Sequence, residues 1–359
     1  MAIITENCST VKWAEKKKQN IKIANKFFSL AIEADKRAEK HQACDDFQQA
    51  DAERTRGNEY RKRGYRMKDC SRFITTSVCP ECQRTITSSA TLCRDRVCPT
   101  CAWRLSAKQS AEMLQTLALI NDLEETTACF LTLTLKNCST DQLRPTLDMM
   151  SESWHRMAMK KKFKDIVLGT ARSVEITYNK ERKEFHPHLH TILLLDTEKI
   201  KNETIEELGA FFNQEWKKAN RLLYEPITDL RLIHNYEMLE TDKANAEFYK
   251  KAILETFKYT IKDDTMQDMT LADFRFYIDG IQGKRLVSYS GIIKTARQAL
   301  EMQDELEQEE TTKHCPECSA EMLSAVYAWS FASGTYKRFA TSVLIDGRAR
   351  AISTAGEVI

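Results

Sequence analysis

The sequence has no apolar run approaching the ~20 residues that a membrane-spanning helix needs. Its N-terminus also lacks the apolar core of a secretory signal. Both absences point to a cytoplasmic protein. There is little net charge, only +2 over 359 residues, so bulk electrostatics argue for no class of partner. No Walker-type phosphate loop is present, and ATP hydrolysis by this chain is not expected. Histidine is scarce, seven in all, which makes its distribution informative. Hydrophobic residues make up 42% and charged residues 30%, the composition of a soluble globular chain. The length suits roughly two domains.

Charge is unevenly placed. Basic clusters occur at Lys16-Lys17-Lys18, at Arg61-Lys62-Arg63 with Arg66 and Lys68, and at Lys160-Lys161-Lys162 with Lys164. Acid gathers at Asp304, Glu305, Glu307, Glu309 and Glu310. Separated basic patches on a near-neutral protein can engage phosphates locally, although a lysine run is ordinarily a solvated face. The chain is expected to divide into four segments: a polar helical arm (1–69), a cysteine-rich module with a connecting helix (70–124), a central domain (125–300), and an acidic linker with a C-terminal tail (301–359). In the arm, Ile21, Ile23, Ala24, Phe27, Phe28, Leu30 and Ala31 predict one amphipathic helix; a very polar helix or a linker follows.

The twelve cysteines would be reduced in a cytoplasm, so they read as metal ligands or buried thiols rather than disulfides. Cys79-Pro-Glu-Cys82 and Cys98-Pro-Thr-Cys101 are two C-x-x-C pairs at zinc-ribbon spacing, and are expected to share one structural Zn²⁺. Four thiolates fill the shell of such an ion, so the site would organise structure and not catalyse. Cys70 and Cys93 are left over, and so is a third pair, Cys315 and Cys318. These four could form a second zinc site joining the two ends of the chain, and the ligand sets could equally be exchanged between the sites.

Three of the seven histidines lie in His186-Pro187-His188-Leu189-His190, followed by the apolar run Ile192–Leu195. Residues two apart on a strand share a face, so His188 and His190, with His186 in the same parity, would point one way and Leu189 into a core. Thr170–Tyr178 predicts a preceding strand, and Lys180–Lys183 a polar turn between them. If the turn is tight, Glu175 falls opposite His188 on the same face. Two imidazoles and a carboxylate make a three-ligand site with open positions, suited to Mg²⁺ or Mn²⁺ acting on phosphate. Further on, the segment Phe248–Lys262 predicts a helix with Glu255 and Tyr259 at i, i+4, and Lys258 and Lys262 at the same spacing. Beside a metal that polarises a phosphate, and with those lysines near, Tyr259 becomes a feasible nucleophile and Glu255 a general base.

Taken in order, four motifs resemble those of bacterial plasmid rolling-circle replication initiators, members of the HUH endonuclease superfamily. They are Cys93-Arg-Asp-Arg-Val-Cys98-Pro-Thr-Cys101-Ala-Trp-Arg104, Phe130-Leu-Thr-Leu-Thr-Leu135, His186-Pro-His-Leu-His190 and Glu255-Thr-Phe-Lys-Tyr259. Gly283-Lys-Arg-Leu286 is a weaker fifth match, and together they cover about residues 70–295. The resemblance implies an α+β fold: a central antiparallel five-stranded sheet flanked by helices, with the histidine strand in its middle, the zinc module and the helical arm. It implies that Tyr259 nicks origin DNA through a 5′-phosphotyrosine and frees a 3′-OH primer, and that Glu255 assists hydrolysis at termination. The partners implied are a duplex origin, a single-stranded or hairpin nick site, and a host helicase and DNA polymerase. No membrane partner is expected, and an oligomer is compatible with the sequence. The rival readings are a relaxase or transposase with the same chemistry, and a non-catalytic zinc-containing DNA-binding protein.

Overall fold

The computed structural model describes residues 8–353, apart from 83–84, 122–124, 234–242, 258–262, 308–313, 316 and 346–347. In chain order its elements are α1 Cys8–Ala43, α2 Phe47–Asp69, β1 Phe73–Val78, β2 Thr85–Ala90, α3 Pro99–Asn121, β3 Thr126–Thr134 and β4 Cys138–Ser139. There follow α4 Leu143–Ala158, α5 Lys161–Ile166, β5 Val167–Asn179, β6 Glu184–Asp196, α6 Thr197–Ile200, α7 Ile205–Asn220 and β7 Thr228–Ile233. The last are α8 Lys243–Thr256, α9 Asp263–Asp268, α10 Leu271–Ile281, β8 Val287–Ser290, α11 Gly291–Glu307, β9 Leu323–Ser330, β10 Thr335–Ile345 and β11 Arg348–Ser353. The chain divides into two compact units, Met1–Arg104 with Gln303–Ile359, and Leu105–Met302.

In the first unit the very polar segment after α1 is a helix. The buried residues of α2 are Ala50, Gly57, Tyr60, Gly64 and Met67, a helical stripe in an otherwise charged sequence. That stripe lies along α1 in an antiparallel hairpin: Phe27 meets Tyr60, Phe28 meets Tyr65, and Arg37 pairs with Glu53. Gly64 allows the close approach, since a Cβ there would lie 2.7 Å from the Phe28 ring. The expected zinc module and the expected separate tail share one antiparallel sheet, in the order β11-β10-β9-β1-β2. The tail supplies three of its strands, β9, β10 and β11. Trp13, Ile74, Ala325 and Tyr327 form a buried cluster that ties α1, β1 and β9 together.

The second unit is built on an antiparallel sheet in the order β7-β3-β6-β5-β8, with the short β4 added beside β6. The histidine strand is therefore central. Its burial alternates from Glu184 to Leu189, then becomes continuous from His190 to Leu195. Alternation marks a strand with one open face, and continuous burial marks one covered on both faces. On one side Ile192 and Leu194 join a core with Met113 and Leu117 of α3, Ile253 of α8 and Ile293 of α11. On the other, α4 buries Leu143, Leu147, Met150, Trp154 and Met157, and packs against α7. The helical path from α4 is broken at Lys160, whose backbone is extended, so the lysine run opens the separate helix α5. The mixed α+β class with antiparallel sheets and a helical N-terminal region agrees with the sequence reading.

Candidate metal centre and cysteine clusters

Within the second unit, the β5–β6 hairpin sets the site. The Asn179 side chain accepts hydrogen bonds from the backbone N–H groups of Glu181 and Arg182, at 3.0 and 2.9 Å, and so shapes the turn. With Asn179 paired to Glu184, the register runs on to Glu175↔His188 and Ser173↔His190. Glu175 thus faces His188 as the turn length predicts. Its Oε2 lies 3.1 Å from His188 Nε2 and 2.9 Å from His190 Nε2. Glu175 and His190 are both 6% exposed.

The outer ring nitrogens decide what this cluster can hold. His188 Nδ1 is 3.3 Å from the backbone carbonyl of His186, which can only accept, so Nδ1 carries the proton. In a neutral ring that leaves a lone pair on Nε2, facing a carboxylate oxygen that is also an acceptor. Two acceptors in van der Waals contact need a cation or a proton between them. His190 Nδ1 lies 3.2 Å from Thr132 Oγ1, a hydroxyl that can donate or accept, and its ring is stacked on Phe130 at 5.4 Å and 13°. These partners fix ring orientation in the way that outer partners of metal ligands do. Glu175, His188 and His190 fit a divalent cation, their ligand atoms lying within 4.8 Å of one another. His186, although of the same parity, is outside this group; burial first, and then His188, lower its pKa.

Glu255 reaches the same place from α8, with Oε1 4.0 Å from His190 Nε2 and its side chain 36% exposed. It lines a cavity of about 360 Å³ with Phe130, Thr132, His190, Asp229, Arg231 and Lys251. The end of α8 is held to the sheet by Ser173, whose hydroxyl donates to the Thr256 carbonyl. Described structure on this segment runs to Phe257; Lys258, Tyr259 and Lys262 lie outside the described residues. Sequence reasoning missed Thr132 and Ser173 as supports. The signal was present for both: each sits on the strand parity that pairs with His190.

The first unit holds two groups of four thiols. One is Cys70, Cys93, Cys98 and Cys101, and the other is Cys79, Cys82, Cys315 and Cys318. Neither expected set, Cys79/Cys82/Cys98/Cys101 or Cys70/Cys93/Cys315/Cys318, is brought together; the exchanged sets are. The reason is β1. Its six residues separate Cys70 from Cys79 by roughly 20 Å at ~3.3 Å per residue. Pairing of Val78 with Thr85 and Leu323 brings Cys79, Cys82 and the third pair to one end. Pairing of Ile74 with Ala90 returns Cys93 to the Cys70 end. The first cluster is wrapped by α1: Asn20 Oδ1 accepts from Thr100 N–H at 3.1 Å and from the Cys98 thiol at 3.3 Å. Buried Lys17 donates to the carbonyls of Lys68 and Cys70, at 2.7 and 2.5 Å. Backbone N–H groups point at sulfur in both clusters, from Arg94 to Cys101 at 3.2 Å and from Cys82 to Cys79 at 3.4 Å. The thiols of Cys70, Cys93 and Cys98 hold Cys101 far below the ordinary thiol range.

An antiparallel sheet with a carboxylate–imidazole pocket, joined in one chain to paired thiol clusters, gives the described residues metal-binding geometry at three places. The chain matches the replication-protein family over residues 84–337. It is 32% identical to "Protein rep" of Bacillus amyloliquefaciens, over 68% of this chain and 75% of that one. It is 26% identical to "Protein rep" of Lactiplantibacillus plantarum, over 92% and 96%. A "Replication protein" of Staphylococcus aureus is 31% identical over 49% of this chain and 74% of its own. No solved structure matches. The chain belongs to the replication-protein family, and the resemblance to bacterial plasmid rolling-circle replication initiators drawn from its motifs holds.

Proposed function

We propose that the second unit is an HUH-type single-strand DNA endonuclease and strand transferase that starts rolling-circle replication at a plasmid origin. The observation that carries this reading is the cluster of Glu175, His188 and His190, where the central strand passes from its open half to its buried half, with Glu255 at its edge. When bound there, Mn²⁺ or Mg²⁺ supplies charge withdrawal from a scissile phosphate. Tyr259, four residues beyond Glu255, gives up its phenolic proton and bonds to phosphorus. The P–O3′ bond breaks, and the departing 3′-oxygen takes a proton to become the primer hydroxyl. One phosphodiester has replaced another, so rejoining needs no ATP. Lys258 and Lys262 favour the phenolate by their charge. Glu255 is open enough to meet water and acts as its general base, ending the cycle by hydrolysis.

Both thiol clusters fit structural Zn²⁺. Zinc–sulfur bonds of ~2.3 Å at tetrahedral angles put sulfurs ~3.8 Å apart. The sulfur–sulfur contacts here run from 3.3 to 4.0 Å. The zinc region and the basic patches would bind the duplex origin. The substrate would be single-stranded or hairpin DNA, since the backbone must enter the metal pocket. Host helicase and DNA polymerase would complete replication in the bacterial cytoplasm.

The test is a denaturing gel of wild-type and Tyr259→Phe protein incubated with Mn²⁺ and single-stranded DNA from the replicon's own origin. A protein–DNA adduct is expected in the wild type alone. An adduct in both moves the nucleophile elsewhere, Tyr249 being the first alternative. No adduct in either, with duplex binding intact, replaces this reading with a non-catalytic DNA-binding protein.

A further inference from the structure

The face of the second sheet opposite the histidines carries its own cavity. It measures about 340 Å³ and lies between α4, β5, β6, β8 and the turn before β8. Its walls are apolar where the core requires it, from Leu147, Val174, Leu189 and Leu286, but three cations also line it: Arg172, Lys284 and Arg285. Asp148 is the single carboxylate among the lining residues, and it pairs with Lys284. The cavity therefore holds a net positive charge.

Arg172 is the unusual member. It sits in the middle of β5, one residue from Ser173 and on the other face of the strand. Its guanidinium lies over the Trp154 ring at 5.0 Å, and its Nε donates to Ser288 Oγ at 3.2 Å. Its Nη1 is buried with no hydrogen-bond partner among the described residues. Burial pushes its pKa down to about 10, so at neutral pH it remains charged. A half-buried cation with one buried, unmet donor is costly unless something supplies the missing acceptors. The stacked Trp154 offsets part of that cost but accepts no directed hydrogen bond from Nη1. Arg285 is exposed at the mouth, and Gly283, at a φ of +72°, makes the turn that presents it beside Lys284.

We propose that this cavity binds a phosphate group, with the half-buried Arg172 as its anchor and Arg285 at its entrance. Guanidinium groups match phosphate oxygens in a planar, two-point fashion, which suits Arg172 better than a lysine would. The volume is at the small end of ligand sites and suits a phosphate with its attached sugar rather than a large cofactor. Two sources share that chemistry: a phosphodiester of a DNA strand running over the rear of the sheet, and a free nucleotide. The site is separate from the histidine pocket and does not depend on the nicking reaction.

Calorimetric titration of the full chain, without added divalent cation, decides the matter with two probes. One is thymidine 5′-monophosphate; the other is a single-stranded hexamer lacking a terminal phosphate. The wild type binds at least one, and Arg172→Gln weakens it about tenfold or more, the scale of one charge-assisted hydrogen bond. Arg285→Gln weakens it less. Loss for the hexamer alone assigns a DNA backbone phosphate, and loss for the mononucleotide alone assigns a free nucleotide. Should Arg172→Gln fail to fold by circular dichroism, the Lys284→Gln/Arg285→Gln double variant carries the comparison. Equal affinity in wild type and folded variants, or no binding of either probe to the wild type, overturns the proposal.

Discussion

The thiol clusters and the histidine pocket are two donor arrangements able to hold a cation, and they differ in what they leave over. Each thiol cluster offers four sulfurs, so its donors are all protein, and the second draws them from segments far apart in sequence. The histidine pocket offers three donors from a single hairpin, and a cavity of about 360 Å³ opens beside it. A closed set of donors fastens chain segments together, whereas an incomplete set next to an open cavity leaves room for a substrate. The two thiol clusters also differ from each other. All of the first is buried or nearly so, while Cys82 and Cys318 of the second are exposed.

The comparison can be broken most decisively at the thiols. Cys70→Ser/Cys98→Ser removes two donors from one cluster and should leave one zinc per chain, measured by metal analysis after gel filtration. Cys79→Ser/Cys98→Ser takes one donor from each and should leave neither site intact. If the sequence-paired sets held instead, the two results would be interchanged. Structural zinc is worth on the order of 10 kcal/mol of folding free energy, so these variants should also lose most of the cooperative melt of the first unit.

His190→Ala should leave the zinc count unchanged while cutting Mn²⁺-dependent cleavage by more than the ~100-fold that loss of an outer partner costs. Cleavage at the wild-type rate would remove the pocket from the chemistry. Thr132→Ala, which only orients His190, should weaken apparent Mn²⁺ affinity about tenfold, read from the metal dependence of cleavage. An unchanged metal dependence would make Thr132 a packing residue.

The smallest effect belongs to α7, outside the three donor clusters. Thr204 caps α7 in a reciprocal box with Glu207, and Thr204→Ala should cost about 1 kcal/mol in urea unfolding. The Thr204 backbone N–H holds the Glu207 carboxyl below the usual carboxylate range. Its contribution is therefore present above the ordinary glutamate pKa and lost as pH falls through the lowered folded value. Unfolding curves for wild type and Glu207→Gln should differ at pH 6 and converge at low pH. Curves with a constant offset across that range would show that the carboxylate does not stabilise the cap.

What was legible in the sequence was local. Strand parity puts His188 and His190 on one face, and a four-residue turn between Asn179 and Glu184 sets Glu175 opposite His188, because both depend on a few neighbouring residues. The stripe of Leu143, Leu147, Met150, Trp154 and Met157 marks α4 for the same reason. The cysteine pairing was not legible. Spacing groups Cys79 and Cys82 with Cys98 and Cys101, yet β1 stands between the two ends and β9 returns from more than two hundred residues away to complete one of them. The approach of Glu255 to His190 depends on how α8 packs on the sheet, and the cavity around Arg172 depends on α4 and the turn before β8 meeting over the strand. Sequence alone determined which residue types were present and which way each strand presents them. Only the tertiary structure decided which of them meet, since contacts between distant segments follow from strand order and helix packing, and these are properties of the whole chain.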